Sequence, residues 1–126
     1  MLTLNGIVKS VEKSRIPRVV IADIECGKTK IRLDLVKDLL IFREGDSVDI
    51  TLSRTCPPYR EGVDLVMWGY VMSKKKVRSA EGGEVRVKHK ILVSFWGYLM
   101  VMETEDDKLA NKFSIMDKIY LKIATL

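Results

Sequence analysis

One segment of this 126-residue chain carries the residue types of a phosphate-binding loop. Ala22-Asp23-Ile24-Glu25-Cys26-Gly27-Lys28-Thr29 ends in the Gly-Lys-Thr whose lysine and backbone amides cradle phosphates, with alanine at the first glycine position. That cradle works only where the loop runs into a helix N-terminus. Here Lys30-Ile31-Arg32-Leu33-Asp34-Leu35 alternates polar and apolar side chains, which is a strand pattern, and Glu25 would oppose a phosphate. The segment is read as a hairpin turn. His89 is the one histidine, so a Ser-His-Asp or Cys-His arrangement would have to pass through it. It lies among valines and lysines in an alternating run, with no Gly-x-Ser-x-Gly elbow in the chain, and is expected to be a partly exposed strand residue. Glu103-Thr104-Glu105-Asp106-Asp107 lacks the spacing of a calcium loop and reads as a solvated turn. Cys26 and Cys56 show no Cys-x-x-Cys spacing and read as reduced thiols, with a disulfide between them left to geometry. No catalytic group, cofactor, metal or small-molecule substrate is expected.

The remaining chemistry is recognition. Lys74, Lys75, Lys76, Arg78, Arg86, Lys88 and Lys90 face only Glu81 and Glu84 in sequence, so this stretch carries the chain's whole net charge of +5. With the acids at 103–107, it predicts a polarised surface. Basic residues on a hairpin beside exposed aromatics would suit single-stranded nucleic acid on an OB-like barrel. The same lysines could instead protect a strand edge or meet an acidic protein. The aromatics sit in a phrase that occurs twice, Trp68-Gly69-Tyr70-Val71-Met72 and Trp96-Gly97-Tyr98-Leu99-Met100. Alternation cannot put Trp68, Tyr70 and Met72 inside together with Met67 and Val71. Both faces of that strand are therefore apolar, and an apolar outer face implies a permanent partner.

The elements that must position these groups are strands. Met1 to Glu12, Arg18 to Glu25, Lys30 to Leu35, Ser47 to Ser53, Asp64 to Ser73, Val85 to Phe95, Tyr98 to Met102 and Lys118 to Ile123 are β-prone or alternating. Tyr98 to Met102 is apolar throughout, as expected of a strand covered on both sides. Helical spacing recurs near Leu35, Leu39 and Phe42, and a second helical turn is predicted at Asp107 to Lys112. Arg54 to Gly62, with Pro57-Pro58, is an exposed loop. Lys74 to Glu84 is read as a connection with Gly82-Gly83 at its tip, and Trp96-Gly97 as a turn between two strands. About eight short strands with one or two helical turns predict an all-β class, a small antiparallel OB-like barrel formed as one domain by residues 1–126. No repeat beyond the Trp-Gly-Tyr phrase is apparent. Hydrophobic residues make up 47% and charged residues 31% of the chain, with no apolar run near the roughly 20 residues that span a bilayer. Met1-Leu2-Thr3-Leu4-Asn5-Gly6 does not read as an export signal, so a cytoplasmic protein without a membrane partner is expected.

Asp64-Leu65-Val66-Met67-Trp68-Gly69-Tyr70 and Val93-Ser94-Phe95-Trp96-Gly97-Tyr98-Leu99-Met100 resemble two segments of the eighth subunit shared by eukaryotic nuclear RNA polymerases. Val8 to Arg15, Leu33-Asp34-Leu35, Gly45-Asp46-Ser47-Val48 and Ile119-Tyr120-Leu121-Lys122-Ile123 resemble other strands of that family, in the same order. The eukaryotic members carry a longer loop where Arg54 to Gly62 is short, so the chain is most similar to the archaeal counterpart of that eighth subunit. The family's Gly-Gly is Trp96-Gly97 here. The resemblance implies a non-catalytic OB-type subunit of DNA-directed RNA polymerase, docked peripherally on the largest subunit. The expected partner interface is Trp68, Gly69, Tyr70, Phe95, Trp96, Gly97, Tyr98 and Met100. The basic residues from Lys74 to Lys90 are the candidate nucleic-acid contact. The alternative is a free OB-type module that binds single-stranded nucleic acid through that basic hairpin.

Overall fold

Alternating runs of β-branched and polar residues become strands because one side of each run can then be buried while its backbone pairs with neighbours. The computed structural model describes the backbone of residues 1–126 and every side chain except those of Ser79 and Glu81. It contains eight antiparallel strands: β1 (Leu2–Lys13), β2 (Val19–Cys26), β3 (Thr29–Val36), β4 (Ser47–Ser53), β5 (Leu65–Glu81), β6 (Glu84–Phe95), β7 (Tyr98–Thr104) and β8 (Lys118–Thr125). A single 3-10 turn, Lys37–Leu39, precedes β4, and a short helix α1, Asp107–Ala110, precedes β8. The sheet closes as a barrel in the order β1-β2-β3-β7-β6-β5-β8-β4, with β4 returning to β1. This is the all-β antiparallel barrel that the strand count predicted.

The order divides into two Greek keys, β4-β1-β2-β3 and β8-β5-β6-β7, each with the spatial sequence of a returning fourth strand beside the first. The halves join at two seams, β3 with β7 and β4 with β8. Their correspondence extends to single atoms. Gly6-Ile7-Val8-Lys9-Ser10 in β1 matches Gly69-Tyr70-Val71-Met72-Ser73 in β5, and both strands shift register against their hairpin partner at the residue before the serine. Val8 N–H donates to the Asp46 carbonyl (2.9 Å) while its own carbonyl accepts from Gly45 N–H (2.8 Å). Val71 makes the same pair with Asp117 (3.0 Å) and Met116 (2.7 Å). Gly45 and Met116 both take left-handed backbone, at φ +92° and +73°. Asp46 accepts from Arg43 N–H and Asp117 from Ser114 N–H, each at 2.9 Å, and Phe42 and Phe113 are buried beside these turns. The repeat therefore has a period of half the chain. The doubled Trp-Gly-Tyr phrase is not its trace: Gly69 lies inside a strand, whereas Trp96-Gly97 is a turn matched by Gly27-Lys28.

Inward side chains from both halves form one core, including Val8, Ile24, Leu33, Ile50, Val71, Ile91, Met100 and Leu121. Each contributes about 1.5–3 kcal/mol by leaving water. At Gly6 and Gly69 the crossing backbone leaves no room for a side chain. A Cβ on Gly69 would overlap the Ser94 carbonyl, and one on Gly6 would lie 2.5 Å from Cys26 Sγ and 2.9 Å from the Glu25 carbonyl.

Several expectations are corrected. Lys74 to Glu81 is strand, not connection: β5 runs for 17 residues and pairs with β6 up to a two-residue turn at Gly82-Gly83. β7 is covered on one face only, since Met100 and Met102 point inward while Leu99 is exposed. His89 is buried, with Nε2 2.5 Å from Oδ1 of the exposed Asp107. The acids at 103–107 are not a free solvated turn. Glu103 meets Lys90 (3.2 Å), Glu105 meets Arg86 (3.9 Å), and Asp106 caps α1 through Lys108 and Leu109 N–H. They partly neutralise the base of the basic hairpin instead of forming an opposite pole. Both cysteines are free thiols, Cys26 buried and Cys56 exposed. Burial pushes the Cys26 thiol up to about 11.

Candidate functional site

The β5–β6 hairpin carries two surfaces of different chemistry at its two ends. At the barrel end, β5 turns Leu65, Met67, Gly69 and Val71 inward and Val66, Trp68, Tyr70 and Met72 outward. Trp68 sits opposite Tyr120 of β8, and Tyr70 opposite Lys118. Trp68 meets Tyr70 edge-to-face at 6.1 Å and Trp96 edge-to-face at 4.8 Å between ring centroids. Lys118 Nζ lies 4.4 Å from the Trp68 ring centre and 5.2 Å from that of Tyr120. Such packing holds the rings in place.

Trp96 is 71% exposed and occupies the first position of a two-residue hairpin turn with φ +57°, followed by Gly97 at +97°. A bulky residue in left-handed backbone is uncommon and costs about 1–2 kcal/mol. The matching turn in the first half has Gly27 at φ +64°. The fold thus accepts glycine there, and the tryptophan is retained at a local cost.

Of the other sequence-predicted interface residues, Phe95 and Met100 are only 2% and 0% exposed and belong to the core. Gly69 is buried where the strands cross, and Tyr98 packs partly against the core. These four lie beneath the surface that Trp68, Tyr70, Trp96 and Gly97 present. Met72, Leu99 and Tyr120 extend that surface beyond the expected interface residues. Alternation already groups Met72 with Trp68 and Tyr70, whereas Tyr120 is brought in only by the β5–β8 pairing.

Beside Trp68 and Tyr120 a groove of about 570 Å³ continues over Leu39, Ile41, Cys56 and Tyr59. Its wall is the 54–64 loop, fixed by Asp64. That carboxylate is 1% exposed, accepts from Arg60 N–H (2.8 Å) and Arg60 Nη2 (2.9 Å), and lies 3.9 Å from Lys122 Nζ. The Arg60 side-chain hydrogen bond, then its backbone N–H, holds Asp64 below the ordinary carboxylate range. Lys122 also donates to the Pro58 carbonyl at 2.7 Å. A well-ordered wall suits a surface that is formed in advance.

At the far end of the hairpin, β7 pairs with β6 only from His89 onward, so Val77 to Glu81 and Glu84 to Lys88 project as a two-stranded arm. Lys74 is not available to a ligand, because its ammonium donates to the Phe113 carbonyl at 2.6 Å. Lys90 and Arg86 are paired with Glu103 and Glu105. Lys75, Lys76, Arg78 and Lys88 have no acidic partner among the described residues. Among the described residues there is also no cluster of three metal-ligating side chains, and no helix is long and apolar enough to cross a membrane.

The model of the RpbG family, a subunit of DNA-directed RNA polymerase, matches residues 1–126. The DNA-directed RNA polymerase subunit Rpo8 of Saccharolobus solfataricus is 22% identical over 115 residues, covering 90% of this chain and 84% of that protein. The subunit of the same name from Sulfolobus acidocaldarius is 26% identical over 115 residues, covering 90% and 88%. Among solved structures, the cytoplasmic molybdate-binding protein ModG aligns with 98% of this chain and 89% of its own at a TM-score of 0.37 and 13% identity. That likeness is too loose to carry an argument.

Proposed function

The chain belongs to the RpbG family of DNA-directed RNA polymerase subunits, and from that premise we propose that it is held in the enzyme by the aromatic end of the β5–β6 hairpin. It is a structural, non-catalytic subunit of the polymerase. The finer reading is that Trp68, Tyr70, Trp96 and Gly97, with Met72 and Tyr120, dock on the largest subunit at the periphery of the assembly, in the cytoplasm. One observation carries it: the outward face of β5 is aromatic and apolar where the matching face of β1 holds Thr3, Asn5, Ile7 and Lys9. Fold alone does not require the difference, since both strands close the same barrel. Preformed, edge-packed aromatics flanked by a polar rim are the usual anchors of a lasting interface.

Reconstitution with the largest subunit, followed by affinity measurement, tests the reading. Trp68→Ala and Trp96→Ala should each weaken binding on the order of 30-fold, about 2 kcal/mol, with little salt dependence. Lys75→Ala with Lys76→Ala should leave it unchanged. Full affinity in both tryptophan variants would sink the proposed docking face.

A further inference from the structure

We propose that the arm formed by the distal β5 and β6 strands inserts into a groove of double-helical nucleic acid, with phosphates on both of its faces. The arm and its base together are basic on two sides, with Arg78, Arg86 and Lys88 in the arm and Lys75, Lys76 and Lys90 at its base. Cross-strand neighbours share a face, so Lys75 lies with Lys90, and the same side carries Lys88 and Arg86. Lys76 lies with His89 on the opposite side, which also carries Arg78 alongside the exposed Val85 and Val87. A flat acidic partner would engage one of these faces and leave the other charged and idle. A slot walled by two phosphate backbones engages both.

Like charges directly opposite one another destabilise a sheet, and Lys75 faces Lys90 with only the latter paired to an acid. The base of the arm therefore holds charge that the fold itself does not use. On one side its base adjoins a small cleft of about 200 Å³ where Lys28, Lys30, Arg86 and Lys88 outnumber Glu103 and Glu105. Beyond the last β7 pairing, five residues per strand reach roughly 17 Å at about 3.3 Å each. A duplex major groove is about 12 Å wide and 8.5 Å deep and admits a two-stranded ribbon.

A double helix is favoured over a single strand by what the arm lacks. Single-strand binders stack bases on aromatic side chains, and residues 74–90 include no Phe, Tyr or Trp. The half-buried Trp68 and the exposed Trp96 sit at the other end of the hairpin: Trp96 is at the far end of β6 from the Gly82-Gly83 tip. The basic and aromatic groups are thus two separate surfaces, and the arm projects away from the docking face.

Fluorescence anisotropy with the full chain decides it, using as probes a DNA duplex of about 20 base pairs, a single strand of the same length, and polyglutamate. The duplex should bind more tightly than either competitor. If four phosphates are engaged, its affinity should fall about 150-fold between 50 and 200 mM salt, a slope near −3.6. Changing Lys75, Lys76, Arg78 and Lys88 together to Gln should abolish most of that slope, with circular dichroism confirming an unchanged fold. Trp68→Ala should leave duplex binding intact while weakening polymerase assembly, which separates this proposal from the docking face. No duplex binding at 50 mM salt, equal or tighter binding of the single strand or polyglutamate, or an unchanged slope in the four-site variant would each overturn it.

Discussion

Along β1 the outward positions are Thr3, Asn5, Ile7 and Lys9, and along β5 the same positions hold Val66, Trp68, Tyr70 and Met72. Inward, the two strands agree far better: Leu2 with Leu65, Leu4 with Met67, Gly6 with Gly69, Val8 with Val71. The interior of one Greek key is a near copy of the other because both must close the same barrel with the same register shift and the same tight crossing. The exterior is free of that demand. The first half spends it on ordinary solvent contact. The second half carries an aromatic face, a left-handed tryptophan and an arm extended well past the barrel. Difference between matched positions thus separates what the fold needs from what it leaves free, more sharply than exposure alone.

The matched glycines should break this symmetry most. Gly69→Ala drives a Cβ into the Ser94 backbone, which has nowhere to move without pulling β5 off β6. Gly6→Ala meets the Cys26 thiol at 2.5 Å, which can rotate, and the Glu25 carbonyl only at 2.9 Å, a milder clash with backbone than the overlap at Gly69. Denaturant unfolding should show a loss of about 3 kcal/mol or more for Gly69→Ala and a smaller one, about 1–2 kcal/mol, for Gly6→Ala. Equal losses would mean that the two crossings are energetically alike.

Acid should weaken the second half through Asp64 and Asp117. Arg60 lowers the first, chiefly by its side-chain hydrogen bond, and the Ser114 backbone N–H lowers the second, followed by Arg54. A carboxylate whose folded pKa is lowered contributes stability that is fully present above its unfolded value, about 3.9. That contribution is lost as pH falls through the folded pKa. Thermal midpoints recorded from pH 6 down to about pH 2 should therefore fall at the acid end. Asp64→Asn should flatten the fall; an unaltered curve would show that the Arg60 contact does not survive in solution.

The smallest effect on stability is expected where the halves differ most visibly. Trp96→Gly puts glycine where the first half has Gly27, giving up an edge-to-face contact worth about 0.5–1.5 kcal/mol and relieving about 1–2 kcal/mol of left-handed strain. Unfolding free energy should stay within about 1 kcal/mol of the parent while binding to the largest subunit drops. A large loss of stability would make Trp96 a structural residue and weaken the docking proposal.

Much of the barrel was legible in the sequence because alternation reports burial directly. Lys30 to Leu35 and Ser47 to Ser53 alternate, and both are strands. The turn at Trp96-Gly97 was also readable from its glycine. The arm was not, since Lys74-Lys75-Lys76 has little strand propensity of its own; β5 is extended there by pairing with Val85 to Ile91, whose alternation is clear. His89 was misplaced because its partner Asp107 is distant in sequence and arrives with α1. The internal repeat stayed hidden because identity survives only at a few inward positions, while the conspicuous Trp-Gly-Tyr phrase pairs a strand interior with a turn. Tyr120 joins the aromatic surface through a register that no local pattern encodes.

The two seams have a consequence for synthesis. Thr29 pairs with Thr104 and Val48 with Thr125, so neither seam can form until the second half of the chain exists. As the ribosome releases the first Greek key, β3 and β4 offer open edges with their backbone groups unpaired. At about 5–20 residues per second the missing half takes several seconds to follow. For that interval the nascent protein is a half-ring with two adhesive rims, and whatever shields those rims determines how much of it closes correctly.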